Sequence, residues 1–131
     1  MQEPLSLVTS GVKISVISRY EPSVSSPSSA SYVFSYHIFI ENENEYPVKL
    51  TRRHWYIFDS CGIENEVEGP GVIGETPVID PQTIYQYSSG CSLKSPFGSM
   101  EGYYSMELEG GLKSIRVLVP KFLLEVPYLL N

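Results

Sequence analysis

The chain has 131 residues with 9 Lys and Arg against 15 Asp and Glu, a net charge of −6, which leaves room for one domain built on one core. Hydrophobic residues make up 42% and charged residues 18%, the balance of a folded acidic domain, and no Lys/Arg-rich run provides the electrostatics that DNA or RNA binding needs. No apolar stretch approaches the roughly 20 residues of a bilayer crossing, Met1-Gln2-Glu3-Pro4 lacks the basic start and apolar stretch of a signal peptide, and two cysteines do not make a disulfide framework.

Alanine, the best helix former, occurs once, at Ala30, whereas Val, Ile, Thr, Tyr, Phe and Trp number 42 and suit a pleated, half-buried surface. Residues 11–20 place Val12, Ile14 and Val16 on one face against Lys13, Ser15 and Arg19. Residues 21–30 follow with five serines around Pro22 and Pro27, an exposed and mobile loop. Residues 31–43 alternate Tyr32, Phe34, Tyr36, Ile38 and Ile40 against Val33, Ser35, His37, Phe39 and Glu41. The next strand spans residues 48–59 and closes in the turn Asp59-Ser60-Cys61-Gly62. Its parity is open between Trp55 with Ile57 and His54 with Tyr56 and Phe58; Trp55 inward is favoured because it offers the largest apolar area. A hairpin partner then sets Ile63, Asn65 and Val67 against Glu64, Glu66 and Glu68, a solvated acidic row countered by Lys49 and Arg53. Further strands are expected at residues 83–90, 98–109 and 112–119, and a short last one at 122–126 beyond Pro120, which cannot donate to a ladder. Seven or eight strands predict an all-β fold, an antiparallel two-sheet sandwich, with a closed barrel as the competing architecture.

Chemistry has few places to reside. Gly69-Pro70-Gly71-Val72-Ile73-Gly74 matches G-x-G-x-x-G, so Gly69, Gly71 and Gly74 are the candidate ligand-binding residues. The dinucleotide fingerprint, however, needs a helix after the loop, and Pro77 and Pro81 leave no length for one. A loop with positive φ at several glycines is the competing explanation. His37, His54, Cys61 and Cys91 stand in no metal-ligand spacing, and no Ser or Cys is set beside a histidine, so no catalytic residue, metal site or cofactor is expected. Glu101 reads as a strand glutamate facing water. Ten tyrosines exceed what so small a core buries, and tyrosine is enriched where proteins touch. The apolar run 122–130 either folds over its own sandwich or covers a neighbour's sheet.

Six segments in order carry a resemblance to the ApaG family over about residues 11–127. They are Tyr32-Val33-Phe34-Ser35-Tyr36 with Ile38-Phe39-Ile40-Glu41-Asn42; Arg53-His54-Trp55 followed by Asp59; Glu66 through Pro77; Tyr87-Ser88-Ser89-Gly90-Cys91; Gly98 through Tyr104; and Pro120-Lys121-Phe122. The resemblance implies a fibronectin type III-like, immunoglobulin-like sandwich, a cytoplasmic location in bacteria, and a link by name to cobalt and magnesium efflux or resistance. It also implies a protein-contact role, because similar domains are appended to an F-box adaptor and to a polymerase-interacting protein in eukaryotes. The glycine-rich loop carries over as Gly69, Gly71 and Gly74, with nucleotide polyphosphate as the alternative ligand, and no catalytic set carries over. The expectation is therefore one domain over residues 1–131, a non-enzymatic interaction module. Its partner is an unidentified protein, not nucleic acid or membrane, and it is a monomer or weak homodimer through the C-terminal strand.

Overall fold

Nine strands, every pairing antiparallel, form the computed structural model, which describes residues 3–127. They are β1 (Leu5–Thr9), β2 (Val12–Tyr20), β3 (Tyr32–Asn42), β4 (Val48–Asp59), β5 (Ile63–Pro70), β6 (Val78–Ile79), β7 (Ile84–Leu93), β8 (Phe97–Leu108) and β9 (Lys113–Glu125). One sheet runs β1-β2-β3-β7 and the other β5-β4-β8-β9, with β6 paired to β4. The only helical turns among the described residues are 3-10 turns at Pro22–Val24, Pro27–Ser29 and Glu109–Gly111.

Period-two alternation sets the core. Val12, Ile14 and Val16 of β2 are buried beside Phe34, Tyr36, Ile38 and Ile40 of β3, with Ile14 opposite Ile40 and Val16 opposite Ile38. From the other sheet, Trp55 meets Tyr36, Tyr104 and Phe122 edge-on or tilted, at ring separations of 5.6 to 6.1 Å for its own three contacts. Such packing of large rings contributes beyond their buried area, by about 0.5–1.5 kcal/mol per pair.

Two irregularities decide which side chains face inward. The β4–β8 register slips between Leu50 and Arg52, so the inward set passes from Val48 and Leu50 to Arg53, Trp55 and Ile57. Trp55 is thus inward, and Arg52, His54, Tyr56 and Phe58 share the outer face with Glu64, Glu66 and Glu68. The acidic row is countered there by Arg52, bonded to Glu68, and by His54, bonded to Glu66 at 2.6 Å, not by Lys49 and Arg53. The second slip lies opposite Glu101: Gly102 pairs with Val119 and Met100 with Phe122, leaving Pro120 where no donor is required. The expected strands 112–119 and 122–126 are therefore one bulged strand, β9.

β1 and β6 add to the expected set. β5 also departs from its half-buried expectation, because it is an edge strand whose Asn65 and Val67 remain exposed. The 21–30 loop is mostly exposed, and Ser25 ties it down by donating to the Glu21 carbonyl and accepting from Val33 N–H. The C-terminal run folds over its own sandwich, with Phe122, Leu124 and Val126 buried; positions 128–130 lie outside the described residues.

Candidate functional site

The glycine-rich segment is a tight hairpin at the end of β5. Val72 N–H donates to the Glu75 carbonyl and Glu75 N–H to the Val72 carbonyl, closing a two-residue turn with φ of +43° at Ile73 and +78° at Gly74. Two successive positive φ values match the right-handed twist of a hairpin, and a β-branched residue in the first of them is strained. Gly71 (φ +60°) is required for a different reason: a Cβ there would stand 2.1 Å from the Glu75 carbonyl oxygen. Gly69 lies close under a side chain, since its Cβ would stand 3.3 Å from both Nη atoms of Arg53, a tight contact that a small shift of the guanidinium would relieve. The three candidate glycines thus come together at one corner, and the chain leaves it through Pro77 into β6, not into a helix.

Gly71→Ala is expected to cost at least about 2 kcal/mol and Gly74→Ala about 1 kcal/mol, although both positions have positive φ. Only Gly71 has backbone where the methyl group would go, whereas Gly74 has nothing within 4 Å. Urea midpoints of the two variants check this; equal losses would mean that φ alone decides.

Beneath the hairpin a cleft of about 490 Å³ opens between β7 of one sheet and β4–β5 of the other. Arg53 enters it and donates from Nη1 to the carbonyls of Pro70 (2.9 Å) and Gly71 (3.0 Å). Among the described residues no carboxylate pairs with it. Tyr36, Trp55, Val72, Tyr87 and Cys91 line the walls. The Tyr87 and Tyr104 hydroxyls bond to each other, and burial drives both well above the usual tyrosine range, opposed for Tyr87 by that hydrogen bond and for both by the charge of Arg53. Burial, with the charge of Asp59, pushes the Cys91 thiol up to about 11, so it is protonated at neutral pH and a poor nucleophile. Tyr85 donates to Glu75 at the rim and is pushed up to about 12, first by burial and then by that carboxylate. The arrangement can bind an anion; it holds no group poised to exchange protons near pH 7.

The remaining candidates are dispersed. His37, on the outer face of the first sheet, accepts from Ser88 at Nδ1 and donates to Gln86 from Nε2. His54, on the outer face of the second, donates to Glu66, accepts from Tyr103 and stacks between Tyr56 and Tyr103. Cys61 is exposed at the β4–β5 turn, and both cysteines are free. Among the described residues no three His, Cys, Asp or Glu side chains gather where a metal ion could bind. Glu101 is exposed.

On the opposite flank of the sandwich, β1 runs alongside β9, joined by Leu118 N–H to Thr9 Oγ1. This seam leaves large apolar side chains in water: Leu5 (47% exposed), Leu7 (38%), Val8 (53%), Leu118 (48%) and Leu123 (50%). The tyrosines contribute little to it. Tyr36, Tyr87 and Tyr104 are buried, and Tyr20, Tyr32, Tyr46 and Tyr85 pack against the core. The sequence did not single out β1, and it set Arg53 on the outer face as a counter-ion, although Arg53 shares its strand face with the inward Trp55 two positions on.

The ApaG domain pattern matches residues 22–108. The chain is 43% identical over 124 residues to Protein ApaG of Sinorhizobium fredii, covering 95% of each. It is 45% identical over 123 residues to Protein ApaG of Shewanella frigidimarina, covering 94% of this chain and 97% of that one. A crystal structure of the ApaA protein from Bordetella pertussis superposes with a TM-score of 0.85 at 37% identity, over 95% of this chain and 98% of that one.

Proposed function

This chain belongs to the ApaG family, and from that premise we propose that it is a non-enzymatic cytoplasmic module that binds a protein partner through the β1–β9 seam. The observation that carries the reading is the seam itself, where two edge strands leave five large apolar side chains in contact with water. Isolated exposed leucines are ordinary on a monomer, but Leu5 and Leu7 share one face of β1 and Leu5 and Leu123 line one groove, the kind of grouping interfaces use. The family's link to cobalt and magnesium efflux then runs through the partner. No helix among the described residues is long and apolar enough to cross a membrane, and no metal-ligand cluster is gathered.

The nucleotide polyphosphate reading has less in its favour. The N–H groups of Gly71, Val72 and Glu75 are bonded to backbone carbonyls, which leaves few donors in the loop to cradle phosphates.

The test is capture from native lysate by the wild type and by a Leu7→Asp, Leu123→Asp double variant, compared with an unrelated sandwich of equal charge. Both side chains are exposed, so the variant keeps its fold and circular dichroism while losing binding by at least about tenfold. A specific partner held equally by both proteins would remove the seam from the proposal, and no specific partner for the wild type would remove the module.

A further inference from the structure

The cleft on the other flank is independent of the seam and points to a small ligand. Its centre is Arg53, half-buried and inward-facing because of the register slip in β4. Among the described residues no buried side-chain nitrogen or oxygen lacks a partner, so any unbonded donor of Arg53 is open to water and therefore to a ligand. Here only Nη1 is bonded, to the Pro70 and Gly71 carbonyls; Nε and Nη2 hold no hydrogen bond among the described residues. Those two donors form the side-on fork that fits a carboxylate, and Arg52, next in the chain, uses the same pair on Glu68. The hairpin holds the guanidinium by its far end, where the Pro70 and Gly71 carbonyls both accept from Nη1.

The walls supply the rest of the specificity. Trp55, Ile57, Val67 and Val72 form an apolar lining, with Tyr36 and Tyr87 across from them, and a volume of about 490 Å³ falls within the range of small-molecule sites. The charge count limits the anion. The nearby carboxylates already have donors, Glu75 from Tyr85 and Asp59 from Lys94 and Ser95, so the cleft offers one positive charge in a protein of net −6. A single negative charge is balanced there; a polyphosphate is not. We infer that this cleft is a binding site for a carboxylate borne on an apolar or aromatic group, with Arg53 as its anchor. The same chemistry is presented by a free organic acid and by the C-terminus of a peptide ending in an apolar residue.

Trp55, the only tryptophan, lies in the cleft wall and reports occupancy by fluorescence. The probes are hexanoate, phenylacetate, a short peptide ending in Phe, the amides of all three, and pyrophosphate. At least one carboxylate is expected to give a saturable change, its amide to bind about tenfold or more weakly, and pyrophosphate to give none. Saturation by the free acids alone identifies a metabolite, and saturation by the peptide but not by its amide identifies a chain terminus. Arg53→Met is expected to lower affinity at least about tenfold, with Arg53→Lys between it and the wild type. Because Arg53→Met also releases the hairpin, Cys91→Leu serves as the second variant: it narrows the cleft, leaves Arg53 in place and should weaken binding several-fold. The proposal is overturned by a wild type that no carboxylate saturates, by amides binding as tightly as acids, by pyrophosphate binding more tightly than either, or by a folded Arg53→Met of unchanged affinity.

Discussion

Replacing Asn42 with Ala is expected to remove about 3 kcal/mol of stability, a large share of the roughly 5–15 kcal/mol of an ordinary domain. Asn42 is fully buried at the end of β3. Its Nδ2 donates to the Tyr46 carbonyl (2.8 Å) and the Ile79 carbonyl (3.0 Å), and its Oδ1 accepts from Asn44 N–H (3.0 Å). One side chain thereby joins the turn after β3 to β6, a two-residue strand otherwise held by its pairing with Val48 and Lys49 and by the burial of Ile79. Alanine leaves the buried Ile79 carbonyl, the part-buried Tyr46 carbonyl and one N–H without that partner, and each costs about 1–3 kcal/mol when no water replaces it. Asn42→Asp is the sharper version, because it turns a carboxylate toward two carbonyl oxygens. Burial and that repulsion favour its protonated form, so its folded-state pKa rises above the unfolded value and stability falls as pH rises. Urea titrations should show Asn42→Asp less stable than Asn42→Ala at pH 7, with the order closing or reversing near pH 4. A gap independent of pH would show that the site admits water.

The features the sequence revealed are those repeated by local alternation, and those it concealed are set by where the rhythm breaks. β2 and β3 are legible because Val12, Ile14 and Val16, and Phe34, Tyr36, Ile38 and Ile40, recur at every second position, whereas in β4 the alternation breaks and its parity stays open. β1 is concealed because Leu5 and Leu7 look toward the seam and stay in water, so burial never enforces a pattern on them. β6 exists only through its pairing with Val48 and Lys49. Pro120 marks the slip in β9, but no special residue announces the slip in β4, which turns Arg53 from a surface counter-ion into the centre of a cleft.

The candidate site follows the same division. Gly71 and Gly74 are readable as backbone requirements, because positive φ and a two-residue turn leave few other residues possible. Gly69 is not, because its constraint is a guanidinium 16 positions earlier that only the folded β4–β5 pair brings against it. A glycine motif borrowed from phosphate-binding loops here organises an arginine. The inference from motif to ligand fails at the missing helix, and the geometry supplies a different anion in its place.

Asp59→Asn should cost about 2–3 kcal/mol at neutral pH, and the loss should shrink as the solution is acidified. Asp59 closes β4, where Oδ2 accepts from Lys94 N–H (2.7 Å) and Oδ1 from the Ser95 hydroxyl and Cys61 N–H, tying the β4–β5 turn to the segment after β7. Burial alone would push this carboxyl up, but the donors from Ser95, Lys94 and Cys61 together outweigh it and hold the group below the ordinary aspartate range. A depressed folded-state pKa contributes stability that is complete above the unfolded value of about 3.9 and is lost as pH falls through the folded one. Urea midpoints of wild type and Asp59→Asn should therefore be far apart at pH 7 and pH 5 and converge below about pH 4, where the wild type too becomes neutral. A second reading separates charge from hydrogen bonding. The charge of Asp59 is, after burial, the other influence raising Cys91, so its removal should lower that thiol from about 11 and speed its alkylation at alkaline pH. Faster alkylation with an unchanged urea midpoint at pH 7 would show that the carboxylate acts on the cleft by its field and not by holding the turn; slow alkylation with a constant stability gap down to pH 3 would show that its charge does neither.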